Sequence, residues 1–570
     1  MSSTTHPVTT DHKPTFGELY TPKLVTVLRE GYDATKLRGD LIAGLTVAIV
    51  ALPLSMAIAI ASGVSPDRGL YTAIVGGFLV SLLGGSRFQI GGPAGAFIVL
   101  VSATVHMHGV DGLILATAMS GVMLVTIGYA RLGSFIKFIP YPVTVGFTAG
   151  IAVIIFASQI SALFGLELAG EEPGELLPKL AALVRALPTL NASAVAVSAI
   201  TVGTILLLRK FRPSWPGMLI AVVAASALAA AFSLPVATIG STFGGIPRAL
   251  PIPALPEISP EKAIAVLPAA ISFTLLGAIE SLLSAVVADG MTGRRHRSNC
   301  ELVAQGFANI GAALFGGFCV TGTIARTATN VRSGAYGPVS GMAHAMFLLL
   351  FMLLAAPLAS YIPLAALAGV LAVVAFNMVE RSAIAALLRS SWGDAIVLAV
   401  TFALVIFRDL TEGIVVGFAL GAMLFIHRMS QEVAIEARPL ATEDIADEPS
   451  NYDADASSDP DYVVYRLSGA FFFGAAAAAA ATLDRITDRH KAFILDFSAV
   501  PFLDSTAANI VEQAARKAER RGIRFYVSGT TPAIRRMLLT HGVRPPHVEY
   551  TATIADAREA LLASLPTDQA

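Results

Sequence analysis

Long apolar segments recur along this chain from about Asp40 to about His427, and short breaks rich in glycine and proline separate them. Apart from two short segments, each is long enough, or nearly long enough, to cross roughly 30 Å of hydrocarbon as a helix. We count about fourteen segments in two sets of seven, and the third segment of each set is short. The first set comprises residues 41–62, 68–84, 93–107, 112–130, 142–165, 191–208 and 216–233, and the second comprises residues 264–289, 300–316, 322–332, 338–358, 363–380, 393–408 and 412–427.

The regions that flank these segments have different patterns. Residues 16–40 form an amphipathic run that is predicted to lie on the membrane surface. After about residue 432 the chain is acidic and without periodicity, and from Tyr462 strand-like and helix-like stretches alternate, which predicts a small α/β domain. The predicted domains are residues 1–40, a cytosolic N-terminus with an amphipathic helix; 41–431, a transmembrane domain with repeats at about 41–235 and 262–431; 432–460, an acidic linker; and 461–570, the α/β domain.

Composition supports a polytopic α-helical membrane protein. The 570 residues are 55% hydrophobic and 14% charged, and the mean hydropathy is +0.70, outside the usual range of soluble domains. A net charge of −1 argues against a nucleic-acid partner. No metal site or prosthetic cofactor is expected, since Cys300 and Cys319 lack a metal-binding or redox spacing. The sequence also contains no phosphate-binding P-loop, so we expect secondary transport and no enzyme activity.

Basic residues predict the orientation in the membrane. Short cytoplasmic loops carry an excess of lysine and arginine, and here these residues follow the even-numbered segments. They are Arg87, Arg131, Lys137, Arg209, Lys210, Arg212, Arg294, Arg295, Arg297, Arg332, Arg381, Arg389 and Arg428. The pattern predicts a multi-pass protein of the inner (plasma) membrane with both termini in the cytoplasm. The loop "GRRHRSN" sets this topology or contacts anionic membrane lipid.

The two short segments occupy equivalent positions in the two sets. Both "GGPAGAFIVLV" (91–101) and "VTGTIARTATNV" (320–331) have small or helix-breaking residues before a half-length helix. Paired interrupted segments of this kind indicate the central site of a transporter. A helix that begins in mid-membrane presents unpaired N–H groups and a positive dipole end, which attract an anion. The alternative is a pair of glycine-rich packing helices.

Longer motifs give the chain a family resemblance. The stretches "DLIAGLTVAIVALPLSMAIAIASGV", "IPYPVTVGFTAGIAV" and "GAIESLLSAVVADGMTGRRHRSNCELVAQGFANIGAALFGG" resemble the SulP family of anion permeases, and "ILDFSAVPFLDSTAANIV" resembles the signature of its STAS domain. The resemblance implies a uracil-permease-like fold with about 14 spans in a 7+7 inverted repeat. It also implies core and gate domains, an elevator-type mechanism, a homodimer and a cytosolic α/β STAS domain.

Glu280 is the candidate coupling residue, because a carboxylate inside a membrane span is functional by default. The alternative is a structural pair with Arg326. By resemblance, Glu280 matches the acid with which family members couple transport to protons or sodium. Ser284 lies one helical turn further on the same face and adds an oxygen ligand or packs against another helix.

The anion site is predicted around the two short helices. The guanidinium of Arg326 and the N–H groups of Thr323 and Ile324 would neutralise an oxyanion. The complete set of candidate anion-binding residues is Ser55, Ala94, Gly95, Ala96, Phe97, Gly322, Thr323, Ile324 and Arg326. The sequence departs from the family near Cys319, where proline is common, so the start of the second short helix is left open.

We therefore predict proton- or sodium-coupled uptake of a small anion, with sulfate, bicarbonate and C4-dicarboxylate all open. An uncoupled anion exchanger or channel is one alternative, and a nucleobase permease of the same fold is a second. In the STAS-like domain, Ser505 and Thr506 follow Asp504 at a strand-to-helix turn. They are candidate phosphorylation sites for a cytosolic regulator, although helix capping explains the same residues.

Overall fold

The chain divides into two compact units, Met1–Phe418 and Ala419–Ala570. In this computed structural model, the residues that the structure describes are 15–133, 140–170, 173, 175–212, 215–408, 410–431, 434–437, 462–472 and 492–564. The first unit is helical apart from two short strands, and the second contains a five-stranded sheet.

The first unit contains the helices of the apolar segments and several shorter helices before and between them. They are α1 (Phe16–Tyr20), α2 (Lys23–Arg29), α3 (Ala34–Ala61), α4 (Pro66–Tyr71), α5 (Gly77–Leu83), α6 (Ile98–Tyr129), α7 (Tyr141–Phe164), α8 (Leu176–Ala186), α9 (Ala192–Phe211), α10 (Gly217–Ala231), α11 (Ile239–Phe243), α12 (Pro260–Thr292), α13 (Ser298–Leu314), α14 (Ile324–Arg332), α15 (Val339–Ala359), α16 (Leu364–Met378), α17 (Arg381–Ser390), α18 (Trp392–Phe407) and α19 (Leu410–Gln431), which continues into the second unit. The strands are β1 (Gly91–Gly92) and β2 (Thr321–Gly322).

Every predicted apolar segment falls on a helix or on a pair of helices in series. The second segment contains a π-helical turn, Thr72–Gly76, between α4 and α5. The third and fourth segments form α6. This helix is interrupted at Gly109, whose φ of 68° is not helical and is tolerated best by glycine. Among the described residues, eight helices are long and apolar enough to cross a membrane. The count of fourteen spans and the inverted repeat stay predictions.

The N-terminal run differs from the single amphipathic helix that the sequence predicts. It forms two short helices and the start of α3, because Pro22 lies between α1 and α2, and the chain turns at Gly31, whose φ is 89°. An ion pair between Glu30 and Arg87 and a hydrogen bond of 2.7 Å from Arg297 Nη1 to the Thr21 carbonyl hold this run against the loops that follow α5 and α12. The hydrogen bond from Arg87 lowers the pKa of Glu30 below its usual value.

Glycine allows α6 and α13 to approach closely. A Cβ atom at Gly121 would lie 2.7 Å from the Gly306 carbonyl oxygen, and a Cβ atom at Gly306 would lie 2.5 Å from the Gly121 carbonyl oxygen. Both distances are well below ordinary van der Waals contact. The two helices therefore touch backbone to backbone, as small residues allow in membrane proteins.

The second unit is the predicted α/β domain. Its sheet has the order β3 (Ala434–Ala437), β4 (Tyr462–Ser468), β5 (Ala492–Ala499), β6 (Arg524–Ser528) and β7 (Glu549–Thr551), with helices α20 (Ser505–Arg520), α21 (Pro532–Thr540) and α22 (Ile554–Ser564). Strands β4 to β7 are parallel, and β3 is antiparallel to β4. Alternate residues of the central strands are buried with one face of α20 in an apolar core.

One boundary prediction is wrong. Residues 434–437 were predicted to belong to the acidic linker, but they pair with β4 as an edge strand. The reason is local, since "AIEA" is apolar apart from Glu436 and the acidic run begins only later. Most of the remaining linker, and the predicted helix at 475–489, lie outside the described residues.

The Asp504–Ser505–Thr506 turn before α20 has a capping role in the structure. The Asp504 side chain accepts a hydrogen bond of 2.8 Å from the Ala507 N–H and so caps the helix. Ser505 and Thr506 are exposed on its first turn. A regulatory role for these two hydroxyls stays a prediction.

Candidate functional site

The two short strands bring the two interrupted segments together. Strands β1 and β2 are antiparallel, with Gly91 opposite Gly322 and Gly92 opposite Thr321. A 3₁₀ turn, Gly95–Phe97, follows β1 and leads into α6. Helix α14 begins at Ile324, directly after β2 and the N-cap residue Thr323. The starts of both half-helices therefore lie beside one small sheet.

Polar side chains anchor this sheet. Asn309 on α13 donates to the Val320 carbonyl at 3.0 Å and accepts from the Val320 N–H at 2.9 Å, as a neighbouring strand would. Thr327 Oγ1 accepts a hydrogen bond of 3.1 Å from the Ile90 N–H, and the Thr323 N–H donates to the Ile90 carbonyl at 3.0 Å. These bonds fix the start of α14 at Ile324 without the proline that family members often carry before this helix.

Glycine is required where the strands meet their neighbours. A Cβ atom at Gly322 would overlap the amide of Gln89, and a Cβ atom at Gly92, whose φ is 158°, would clash with Arg326 Nη1. Gln89 is itself buried and donates a hydrogen bond of 2.7 Å to Ser281 Oγ on α12. The small sheet therefore connects α12 to both half-helices.

Replacing Gly322 by alanine is expected to lower the melting temperature by several degrees and transport about tenfold. The added methyl group must displace Gln89 and break its bond to Ser281, and overpacking of a buried site costs about 1–3 kcal/mol. Thermal unfolding in detergent and uptake into liposomes measure both effects. Gly290→Ala is the matched control, because a Cβ atom at Gly290 meets nothing within 4 Å. Equal behaviour of the two variants would contradict the assigned packing.

Arg326 is the positive group of the site. Its side chain is 2% exposed, and its Nη2 donates to Ser55 Oγ at 3.3 Å and to the Pro93 carbonyl at 3.2 Å. Its Nε and Nη1 are buried and have no hydrogen-bond partner among the residues that the structure describes. Since buried donors normally find acceptors, these two N–H groups are open to a further acceptor.

Glu280 lies near Arg326 without forming an ion pair with it within the described part of the chain. The charge of Arg326 acts electrostatically on the Glu280 carboxyl group. Glu280 Oε2 is buried, and no described residue is hydrogen-bonded to it. The structure thus gives no support to the alternative in which Glu280 is a structural ion-pair partner of Arg326. Ser284, the proposed oxygen ligand, donates a hydrogen bond of 3.1 Å to Thr327 Oγ1.

The other predicted site residues surround Arg326 or the start of α6. Ser55 is fully buried and bonded to Arg326, and Gly322 and Thr323 are buried in β2 and at the helix cap. Ala94, Ala96 and Phe97 are also buried. The Phe97 ring lies 6.0 Å from the Phe273 ring of α12, measured between ring centroids.

Sequence reasoning missed several polar residues of this region. Gln89, Asn309 and Thr327 hold the small sheet, yet only their polarity within apolar segments distinguishes them in the sequence. The apolar neighbours of Gly95 were also missed. A Cβ atom at Gly95 would lie 3.3 Å from Ile155 Cδ1 on α7 and 3.8 Å from Met378 Sδ on α16. An apolar residue in a membrane-spanning helix carries no sequence signal that it lies beside the site.

A buried guanidinium lies at the start of the two half-helices, within a bundle of membrane-length helices. The fold and the site together define a multi-pass membrane carrier of anions. The sequence comparisons name the family: the model of the sulfate permease family matches residues 37–401, and that of the STAS domain matches residues 453–557. The chain belongs to the sulfate permease family, which confirms the resemblance seen in the sequence.

Individual relatives agree with this assignment. The chain is 41% identical over 505 residues to the candidate sulfate transporter YvdB of Bacillus subtilis, covering 88% of this chain and 93% of that protein. It is 30% identical over 517 residues to the bicarbonate transporter BicA of a Picosynechococcus species, covering 88% and 90% of the two chains. The murine Slc26a9 anion transporter has the same fold, with a TM-score of 0.84 at 18% identity and coverage of 96% and 94%.

Proposed function

We propose that this protein is a secondary active transporter that takes up a small inorganic or dicarboxylic anion together with a proton or sodium ion. The observation that carries the proposal is the Arg326 guanidinium, whose buried Nε and Nη1 have no hydrogen-bond partner among the described residues. The oxygens of an anion are strong acceptors for such charged N–H donors. Sulfate, bicarbonate and a C4-dicarboxylate all present such oxygens.

The same geometry favours an anion over a nucleobase. A permanent positive charge in a buried site is costly unless a negative charge compensates it. A neutral base would leave the charge of Arg326 balanced only by Glu280, with which it forms no ion pair in the described structure. YvdB and BicA are named for sulfate and bicarbonate respectively, which supports an inorganic anion as the first substrate to test.

Coupling is assigned to Glu280. The unpartnered, buried oxygen of its carboxyl group, considered among the described residues, suits an acid that is either protonated or paired with a cation. Binding of that cation offsets the charge of the anion, so both solutes move together. An uncoupled exchanger or channel would have no use for an ionisable acid at this position.

We also propose the wider arrangement that the family resemblance implies. The half-helices and α12 belong to a core domain that moves as an elevator against a gate domain. Two copies form a homodimer in the inner membrane, with both termini in the cytoplasm, and a cytosolic regulator acts on the STAS domain at Ser505 and Thr506. Cysteine accessibility from each side of the membrane tests the orientation, and crosslinking in membranes tests the dimer.

Uptake into proteoliposomes tests the proposed function. Labelled sulfate, bicarbonate, succinate and uracil are offered separately under an imposed proton gradient, a sodium gradient or neither. We expect one of the three anions to accumulate only under one of the cation gradients, and uracil to remain at background. Anion transport that ignores both gradients would favour the uncoupled alternative, and uracil uptake would favour the nucleobase permease.

A further inference from the structure

A cavity that the proposed function does not use lies between α3, α10 and α15, and its volume is about 460 Å³. On α10 it is lined by Leu219, Val222, Val223, Ser226, Ala227 and Ala230, which recur every three or four positions and so share one face of that helix. The lining residues of α15 also follow a helical spacing between Phe351 and Ala359. The cavity is therefore a groove that runs along two helices, with α3 as its back wall.

The length of this groove matches one leaflet of a bilayer. From Leu219 to Ala230 the α10 face extends about 16 Å, at a rise of about 1.5 Å per residue. A hydrocarbon core roughly 30 Å thick gives each leaflet about 15 Å. The groove also reaches the ends of α10 and α15, at Ala231 and Ala359. A hydrocarbon chain lying in it would therefore occupy the leaflet in which these two helices end.

The groove offers almost no polar group to a ligand. Its lining residues, all of which the structure describes, include no Asp, Glu, Lys, Arg or His. The hydroxyl of Ser226 already donates to the Val222 carbonyl at 2.7 Å, and the remaining hydroxyl belongs to Tyr361. An engineered apolar cavity of about 150 Å³ stays dry and binds benzene. The larger groove of this protein is thus suited to hydrocarbon and not to water or an anion.

One side of the groove is open to the membrane. Val223 and Leu358 line it and are exposed, whereas Met56 and Met352 line its depth and are only 1% exposed. The apolar surface continues from the mouth to Leu354, one turn before Leu358 on α15 and also exposed. Because the chain is a multi-pass membrane protein, this continuous apolar surface faces lipid.

We propose that the groove binds an acyl chain of a membrane phospholipid as a fixed part of the folded carrier. The chain matches the groove in length and in polarity, and it enters from the bilayer that covers the mouth. Tyr361 lies at the end of the groove and is exposed, and tyrosine is enriched at the level of the lipid headgroups. The inference depends neither on the solute that the carrier moves nor on the coupling ion.

The bound chain would support α3 where that helix is weakest. Pro53 lines the groove and has no N–H, so it cannot donate to the Ile49 carbonyl one turn earlier. Two residues further on, Ser55 accepts the hydrogen bond from Arg326. Hydrocarbon packed against Pro53 and Met56 therefore holds the part of α3 that contacts the guanidinium.

Photocrosslinking in a bilayer tests the inference on the full-length protein. The carrier is placed in vesicles of phosphatidylethanolamine and phosphatidylglycerol that contain a phosphatidylglycerol with a photoreactive diazirine at the middle of one acyl chain. After illumination, the labelled residues are mapped by mass spectrometry. Met56 and Met352 are too deeply buried to meet a lipid outside the groove, whereas exposed Leu354 reports on any lipid at the surface.

Two variants fill the groove with a phenyl ring, which is large enough to displace a chain. Ala356→Phe adds it on the buried side of α15, and Ala227→Phe adds it at the mouth on α10. Ala199→Phe, on an exposed face of α9 outside the lining, is the matched control. If Ala356→Phe does not fold, Ala227→Phe and the wild-type map still decide the question.

We expect wild type and Ala199→Phe to be labelled at Met56, Met352 and Leu354. The two filled variants should lose labelling of both methionines severalfold and keep that of Leu354. Labelling of Leu354 alone in wild type would overturn the inference, as would labelling of the methionines that persists in both filled variants. Protection of Leu354 together with the methionines would show that a second copy of the chain covers the mouth, and would also overturn it. Anion uptake is measured separately, so none of these outcomes decides the proposed function.

Discussion

Replacing Arg326 by glutamine is expected to weaken anion binding about 100-fold or more, and so to abolish saturable uptake. The variant loses the charge and the guanidinium N–H groups that would bind the oxyanion, and each hydrogen bond to a charged group contributes about 1.5–3 kcal/mol. Arg326→Lys keeps the charge but lacks the planar guanidinium with its several donors, so we expect a loss of about tenfold. Concentration dependence of uptake into proteoliposomes measures both.

Arg332→Gln is the control for this experiment. Arg332 lies at the other end of the same helix, α14, and is exposed. We expect wild-type uptake from it. If Arg326→Gln folded normally and kept the wild-type KM, the anion would have to bind elsewhere.

Replacing Glu280 by glutamine is expected to reduce anion accumulation about tenfold for each tenfold gradient of the coupling cation. The amide has nearly the shape of the carboxyl group but binds neither a proton nor sodium, so each anion carries one cation fewer, and a tenfold gradient is worth about 1.4 kcal/mol. Exchange of labelled for unlabelled anion should persist, because the anion site itself is intact. The steady-state accumulation ratio at zero membrane potential is the measurement.

Glu261→Gln separates this effect from a general effect of charge. Glu261 lies in the first turn of the same helix, α12, and is exposed. We expect its accumulation ratio to equal that of wild type. A Glu280→Gln variant that still accumulates the anion like wild type would remove Glu280 from the coupling mechanism.

The helical part of the fold was predictable because hydrocarbon imposes a length and a polarity on every segment that crosses it. The departures arise where a local backbone preference competes with that rule. Gly109 interrupts α6 and Pro22 divides the N-terminal run, and neither changes the mean hydropathy enough to be noticed. The edge strand at 434–437 was not predicted, because four residues are too few to show the alternation of a strand and an acidic run follows them.

The charged and small residues of the candidate site could be predicted from the sequence. Arg326 and the glycines of β1 and β2 stand out because charge and helix breaking are unusual inside apolar segments. The sequence could not show which residue each of these side chains contacts in the folded protein. That Gln89 donates to Ser281, and that Asn309 pairs with Val320, are consequences of tertiary packing that the sequence does not display.

The close approach of α6 and α13 at Gly121 and Gly306 limits which residues these two positions accept. Each residue would collide with the other's carbonyl oxygen on gaining a methyl group. Because the partner is already the smallest residue, no second-site change there can restore the lost space. Each of the two positions therefore requires glycine in its own right, and alanine at either one is expected to push the two helices apart.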